Sequence, residues 1–381
     1  MDALATMPDP DALRRLLTPS AIGPMALRNR MAVAPMTRVS AGSDGRATQR
    51  MADYYAAFAT GGFGLVITEG LYTDTAHSQG YLFQPGLTDT GQCDAWKPIV
   101  EGVHGHGARI IAQLMHAGAL SQGNAFRTGT RGPSAVRPKG RQMIFYRGSG
   151  EYPIPDAMSE PDVRAVVIGF AEAAVRARDT GFDGVEIHAA NGYLLDQFLS
   201  EGTNLRQDRY GGDVVRRMRL IVEVVDAVRK AVGLDFVVGL RISQGKVNDL
   251  THKWSGGEDE AAAIFGTLGG LAIDYLHTTE HEAWQPAFEA TASLAALAKR
   301  HGRRPVIANG GLHRPSRAAG LMAAGEADFV SLGRGALANP DWPRRVAGGL
   351  SLDEFDGALL SPIADLENAE AYRRRSAATP D

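Results

Sequence analysis

Val185-Glu186-Ile187-His188-Ala189-Ala190-Asn191-Gly192-Tyr193-Leu194 begins as an apolar run and ends in three side chains that can donate hydrogen bonds to one small polar ligand. A general acid or oxyanion stabiliser has to sit at the rim of a rigid element, within about 3 Å of the reacting atom, and a strand ending in a short loop supplies that placement. In isolation the same residues would also read as a satisfied surface turn, so the rest of the chain has to decide.

Working outward, short β-type runs recur at 31–36, 64–68, 109–114, 184–188, 236–242, 273–277, 305–308 and 327–332, which makes eight candidate strands. Amphipathic segments long enough for helices lie between most of them, at 160–179, 214–232, 258–269, 289–301 and 315–324. Strands that read as near-continuous apolar runs are buried on both faces, as in a parallel sheet covered by crossover helices. The class is therefore α/β, and eight such units favour a closed (β/α)8 barrel. A doubly wound sheet would want a glycine-rich turn after its first strand, and Ala34-Pro35-Met36-Thr37 is not one. Residues 1–12 read as a flexible tail, 13–363 as the barrel and 364–381 as a polar tail. Residues 117–160 lack helical periodicity and form a capping excursion after strand 3, on the face where a barrel keeps its chemistry. Phe126, Phe145 and Tyr146 in this excursion either roof a pocket or pack the excursion itself.

The 381 residues, 44% of them hydrophobic, can bury a large core, and a net charge of −3 without blocks of like charge gives no electrostatic footprint for nucleic acid. A lone cysteine, Cys93, excludes a disulfide framework and a cysteine-bound metal or cluster. The N-terminus lacks a basic region followed by an apolar stretch, and no apolar window approaches 18 residues, so no membrane contact is expected and the expected location is cytoplasmic. A small-molecule ligand is the expected partner.

Polar residues at the C-terminal ends of barrel strands read as functional. Here they are Thr37, Glu69 with Gly70, Gln113 with His116, then His188, Asn191 and Tyr193, and then Arg241. Asn309-Gly310-Gly311 and Gly333-Arg334-Gly335 follow the last two strands, where backbone amides and an arginine suit a phosphate. His104 and His106 fall in a helix and His277 and His281 in a loop, without the carboxylates or thiolates of a metal site. Glu69, Glu186 and Glu280 could serve glycoside hydrolysis, but nothing pairs them with the phosphate signal. A lyase or isomerase without redox chemistry would need a Schiff-base lysine, for which Lys246 is the candidate.

The chain resembles the Old Yellow Enzyme family of flavin-dependent ene-reductases from about residue 16 to 345. The resemblance rests on Asn29-Arg30 with Ala34-Pro35-Met36-Thr37, on the six residues from Gln113 to Gly118, and above all on the stretch from His188 to Gly212. It implies FMN held non-covalently, NADPH or NADH as reductant, and an activated alkene as substrate. It further implies that Thr37 meets the flavin C4 carbonyl, Gln113 the pyrimidine edge, and Arg241 the N1 and C2 carbonyl region, with Gly70 allowing close approach to the ring. Backbone around Ala34, Pro35, Met36, Asn309, Gly310, Gly311 and Gly333, with the Arg334 side chain, would hold ribityl and phosphate. His188 and Asn191 would polarise the substrate carbonyl or nitro group, Tyr193 would protonate the α carbon, and Tyr81 would touch the substrate. Ala119 departs from the arginine usual after Gly118, and the state of assembly, monomer or homodimer, stays open. A flavoprotein that binds ligands with little turnover is a third reading.

Overall fold

The computed structural model describes residues 10–289 and 292–378. Eight parallel strands close on themselves: β1 (Met31–Val33), β2 (Leu65–Ile67), β3 (Arg109–Met115), β4 (Gly184–Asn191), β5 (Val237–Lys246), β6 (Tyr275–Thr279), β7 (Val306–Asn309) and β8 (Phe329–Leu332). Each pairs with the next in the chain, and β8 pairs with β1, so the sheet has no open edge. The outer helices are α1 (Gln49–Gly61), α2 (Thr90–Gly105), α3 (Glu160–Thr180), α4 (Arg219–Val232), α5 (Gly257–Gly269), α6 (Leu294–Leu297) and α7 (Pro315–Ala323). Local sequence sets their ends. Ser159 and Asp162 form a reciprocal capping box at the start of α3, and Gly181 closes it in the left-handed region.

Side chains alternate across each strand. Outward residues such as Val66, Ile110, Ala112, Val185, Ile187 and Val238 pack with the helices in one large core. Inward residues near the strand starts, among them Leu65, Ile111, Val237, Tyr275, Ile307 and Phe329, form a second core. Ile22, Met25 and Leu27 of the hairpin Ser20–Ile22 and Met25–Leu27 complete it, so the hairpin plugs the N-terminal end of the barrel. Two residues further along the same inward faces come Gln113, Gly239 and His277, with Arg241 two beyond Gly239, and with them the interior turns polar toward the other mouth. A register shift between Ile242 and Lys246 marks the end of β5.

Helices stand near both termini. Residues 1–9 lie outside the described residues, but a helix already starts at Pro10 and runs to Leu17, with Leu16 buried. The polar segment after 363 forms the helix Leu366–Ala378, with Leu366 and Ala369 buried. The reason lies in the barrel, because Arg38 is buried and donates to the carbonyls of Ala364 at 3.0 Å and Asp365 at 3.1 Å. The predicted helix over 214–232 is in fact Val214–Arg217 and then α4, and Ser293 caps α6 below the expected start at 289.

Gly239 packs flat against Tyr275, whose ring atoms lie 2.0 Å from where a Cβ would stand. Gly239→Ala should lower stability by about 1–3 kcal/mol in urea titrations, as expected of an overpacked core; an unchanged midpoint would mean that the interior layer is looser than described.

Candidate active site

A cavity of about 420 Å³ opens where the strands end at their C-terminal side. The chain after β1 contributes Ala34, Pro35, Met36 and Thr37, the end of β2 gives Gly70, and β3 gives Gln113. From β4 and its loop come His188, Asn191 and Tyr193, from β5 Arg241, and from the last two turns Asn309, Gly310, Gly311, Gly333 and Arg334. The structure thus gathers into one cavity every residue anticipated for cofactor or substrate save Tyr81.

The loop after β4 is held from three sides. Asn191 adopts a φ of 62°, unusual without glycine, and its N–H donates to Ser243 Oγ at 2.8 Å. The Gly192 N–H donates to Asp196 Oδ2 at 2.6 Å, while Lys246 Nζ donates to Asp196 Oδ1 at 2.7 Å. Gln197 closes the loop by donating to the Gly192 carbonyl at 2.7 Å. Such bracing fixes His188, Asn191 and Tyr193 relative to the barrel. It also commits Lys246 to an ion pair that is 7% exposed on the lysine side and buried on the aspartate side. Lys246 is absent from the wall of the main cavity, which leaves the Schiff-base reading without its lysine.

Tyr81 differs from expectation. It is fully buried and off the cavity wall, its hydroxyl 2.6 Å from that of Tyr193 and its ring packed at a tilt against Tyr146. The contact the structure shows for the Tyr81 hydroxyl is with Tyr193. His116 and Glu69 also turn away: the Gly118 N–H donates to His116 Nδ1, and Glu69 accepts from the Arg38 N–H and from Tyr55. Phe126 packs against Tyr72, whereas Phe145 and Tyr146 line the cavity with Met143 and Leu360. His277, expected in a loop, is a fully buried residue of β6. Ala119 borders a void of only about 20 Å³ beside Gly192 and Lys246.

Electrostatics single out a few groups. Burial and the neighbouring Arg241 push His188 down to about 3, so it is a neutral imidazole across ordinary pH. Burial pushes the Tyr193 phenol up to about 12, opposed by the bond to Tyr81 and by Arg241, so it carries its proton. Arg241, lowered by burial to about 10, remains a cation. Its Nη2 donates to Asn309 Oδ1 at 3.0 Å, but its Nε and Nη1, like His188 Nδ1, are buried without a partner among the described residues. Buried donors left open in this way call for a ligand with matching acceptors.

Residues 15–353 match the model of the NADH:flavin oxidoreductase / NADH oxidase family. The chain belongs to the Old Yellow Enzyme family. It is 36% identical to a chanoclavine-I aldehyde reductase of Penicillium roqueforti over 91% of this chain and 93% of that one. A probable flavin mononucleotide-dependent alkene reductase of Leishmania infantum is 34% identical over the same shares of the two chains. An NADH oxidase of Thermoanaerobacter brockii is 32% identical over 88% of this chain, which spans about half (51%) of that longer protein. Among solved structures, the old yellow enzyme homologue from Zymomonas mobilis superposes with a TM-score of 0.83 at 31% identity, covering 93% of this chain and 99% of that one. Morphinone reductase in complex with tetrahydroNAD gives 0.81 at 32%, covering 93% and 96%.

Old Yellow Enzyme relatives use FMN with a nicotinamide reductant, and the cavity fits that cofactor. The open Arg241 donors would suit an electron-rich ring edge. Gly310, at a φ of 135°, leaves no room for a side chain, since a Cβ would sit 2.2 Å from the Glu280 carbonyl oxygen. Its amide, with those of Gly311 and Gly333 and the Arg334 guanidinium, suits a phosphate.

Several residues of the site escaped the sequence reading. Met115, Met143, Val247, Glu280, His281, Leu337 and Leu360 also line the cavity. Glu186, Tyr275, His277 and Ser331 form a hydrogen-bonded cluster within the barrel. For that cluster a signal existed: counting by twos from Ile111 and Tyr275 puts Gln113 and His277 on the inner face. No comparable pattern marks Met143 or Leu360, which arrive from irregular segments.

Glu69 yields a pH prediction. Burial raises its carboxyl from 4.5 to about 7 in the folded chain, so the unfolded chain loses the proton first as pH rises. Its stabilising contribution is therefore fully present below about pH 4.5 and disappears as pH climbs through 7. Melting temperatures of the wild type and Glu69→Gln should diverge between pH 5 and pH 8, with the wild type falling behind. A constant difference would place the Glu69 titration elsewhere.

Proposed function

We propose that this chain reduces the activated C=C bond of α,β-unsaturated carbonyl, maleimide or nitroalkene compounds with NAD(P)H by a ping-pong mechanism. The observation that carries this reading is the convergence of neutral His188, Asn191 and protonated Tyr193 on one cavity with the open Arg241 donors. Bound FMN would supply the redox chemistry, accepting hydride from the nicotinamide and delivering hydride to the β carbon of the alkene.

The chain's own residues would do the rest. His188 and Asn191 donate to the carbonyl or nitro oxygen, drawing electron density from the conjugated bond and making the β carbon electrophilic. Neutrality of His188 suits it to this task, since a neutral donor polarises the oxygen without titrating over the working pH. Tyr193 gives its proton to the α carbon from the face opposite the hydride, which makes the addition trans. Tyr81 sits behind it, and by donating across the 2.6 Å contact it stabilises the phenolate that Tyr193 becomes. Arg241 keeps a fixed positive charge where reduction places negative charge on the cofactor. Met143, Phe145, Tyr146 and Leu360 form the outer wall and would set the size of substrate admitted.

Half-reactions separate these roles. Flavin reduction by NADPH should persist in Tyr193→Phe while reoxidation by cyclohexenone slows, and stopped-flow traces that slow equally in both would remove Tyr193 as proton donor. Tyr81→Phe should retain flavin and slow the same oxidative half-reaction by about tenfold, the effect of one lost hydrogen bond to a charged group. His188→Ala with Asn191→Ala should lower enone turnover by at least about 10²-fold with flavin retained; unchanged turnover would contradict the assigned oxyanion donors.

A further inference from the structure

Glu186 is a carboxylate with no exposure, one strand over from Gln113 and directly opposite it in the β3–β4 register. Its Oε1 accepts from Gln113 Nε2 at 2.8 Å. Its Oε2 accepts from the Tyr275 hydroxyl at 2.9 Å and from His277 Nδ1 at 2.8 Å. The far nitrogen of His277 meets Ser331 Oγ at 2.8 Å. Burial pushes the Glu186 carboxyl up, but His277, Arg241 and the Gln113 bond pull it down to about 2, so it stays ionised. Burial keeps His277 below its ordinary value. A neutral His277 can give its Nδ1 proton to Glu186 and take the Ser331 hydroxyl proton at Nε2, which satisfies every member of the cluster.

An ionised carboxylate only accepts, so the amide of Gln113 has no choice of direction. Its nitrogen must face Glu186, and its oxygen is left toward the cavity, without a hydrogen-bond partner among the described residues. Arg241, which lines the same cavity, offers only donors. The wall thus presents an acceptor and donors, the complement of a ring edge on which an N–H adjoins a carbonyl.

We propose that Glu186 is a positioning residue that locks the Gln113 amide with its oxygen toward the cofactor, so that the site accepts a hydrogen bond from the imide N–H of the flavin pyrimidine ring. The inference rests on FMN being the cofactor and adds what selects the ring edge. Glu186→Gln tests it with little change of shape. The oxygen of the new amide stays with the Tyr275 and His277 donors, its nitrogen turns to Gln113, and the Gln113 amide reverses to present a donor to the flavin N–H.

The measurement is the affinity of flavin-free protein for FMN and for 3-methyl-FMN, which lacks that N–H, read from quenching of flavin fluorescence. The wild type should bind 3-methyl-FMN at least about tenfold more weakly than FMN. In Glu186→Gln the FMN affinity should fall by about tenfold and the preference should shrink to within about threefold. Exchanging the pair, Gln113→Glu with Glu186→Gln, again turns an acceptor to the cavity and should restore the preference, a rescue that a merely structural role does not predict. A Glu186→Gln protein with the wild-type ratio would overturn the proposal. So would equal binding of the two flavins by the wild type, which decides the matter even if the variant does not fold. Failure to bind either flavin would instead contradict the cofactor assignment and take this inference with it.

Discussion

Ionised groups inside a barrel have to be answered by opposite charge and by donors, and that requirement organises the mouth of this one. Arg241 and Glu186 are both buried on the inward face, and neither stays charged at small cost unless its neighbours compensate. Glu186 is answered within the chain by Gln113, Tyr275 and His277. Arg241 is answered only in part, through Asn309, which leaves two of its nitrogens open. In the function proposed above this imbalance has a use: a cation with spare donors, in one cavity with the Gly310, Gly311 and Gly333 turns, would suit an electron-rich, phosphorylated ring.

The same logic extends to the loop after β4. A left-handed asparagine is tolerated there because Ser243, Asp196, Gln197 and Lys246 hold the backbone around it. Catalytic donors gain from such bracing, since a donor placed beforehand needs no reorganisation when charge develops on the substrate oxygen. Tyr193 is backed in turn by Tyr81, and Tyr81 by the ring of Tyr146 in the capping excursion. The excursion and the C-terminal segment meet where the Ala364 N–H donates to the Phe145 carbonyl, so the outer wall is tied to the chain's last helix.

Much of this was legible in the sequence because barrels write their core in short apolar runs and their chemistry at the ends of those runs. All eight strands appear where the runs stand, and the strand-end groups chosen between Ala34 and Arg334 meet in one cavity with the exception of Glu69 and His116. What escaped has physical reasons. Tyr81 stands behind Tyr193 and off the cavity wall, a placement that sequence cannot give because it does not show which side of Tyr193 a nearby tyrosine occupies. His277 closes the candidate run 273–277 and was also read as a loop residue, because the groups that bury it as a strand residue, Glu186 and Ser331, come from other strands. The helix Leu366–Ala378 hides its few buried side chains in a polar stretch, and the contact that anchors this segment, from Arg38, spans more than three hundred residues. Long-range pairings of that kind leave no local pattern to read.

The central claim is that the open donors of the barrel mouth hold a redox-active flavin that passes electrons to an activated alkene. Its most direct test is the visible spectrum of the purified protein, followed anaerobically through addition of NADPH and then of cyclohexenone. A yellow spectrum that bleaches with the nicotinamide and returns with the enone is the predicted result. A colourless protein that takes up no FMN, or a reduced flavin that no activated alkene reoxidises, would contradict it.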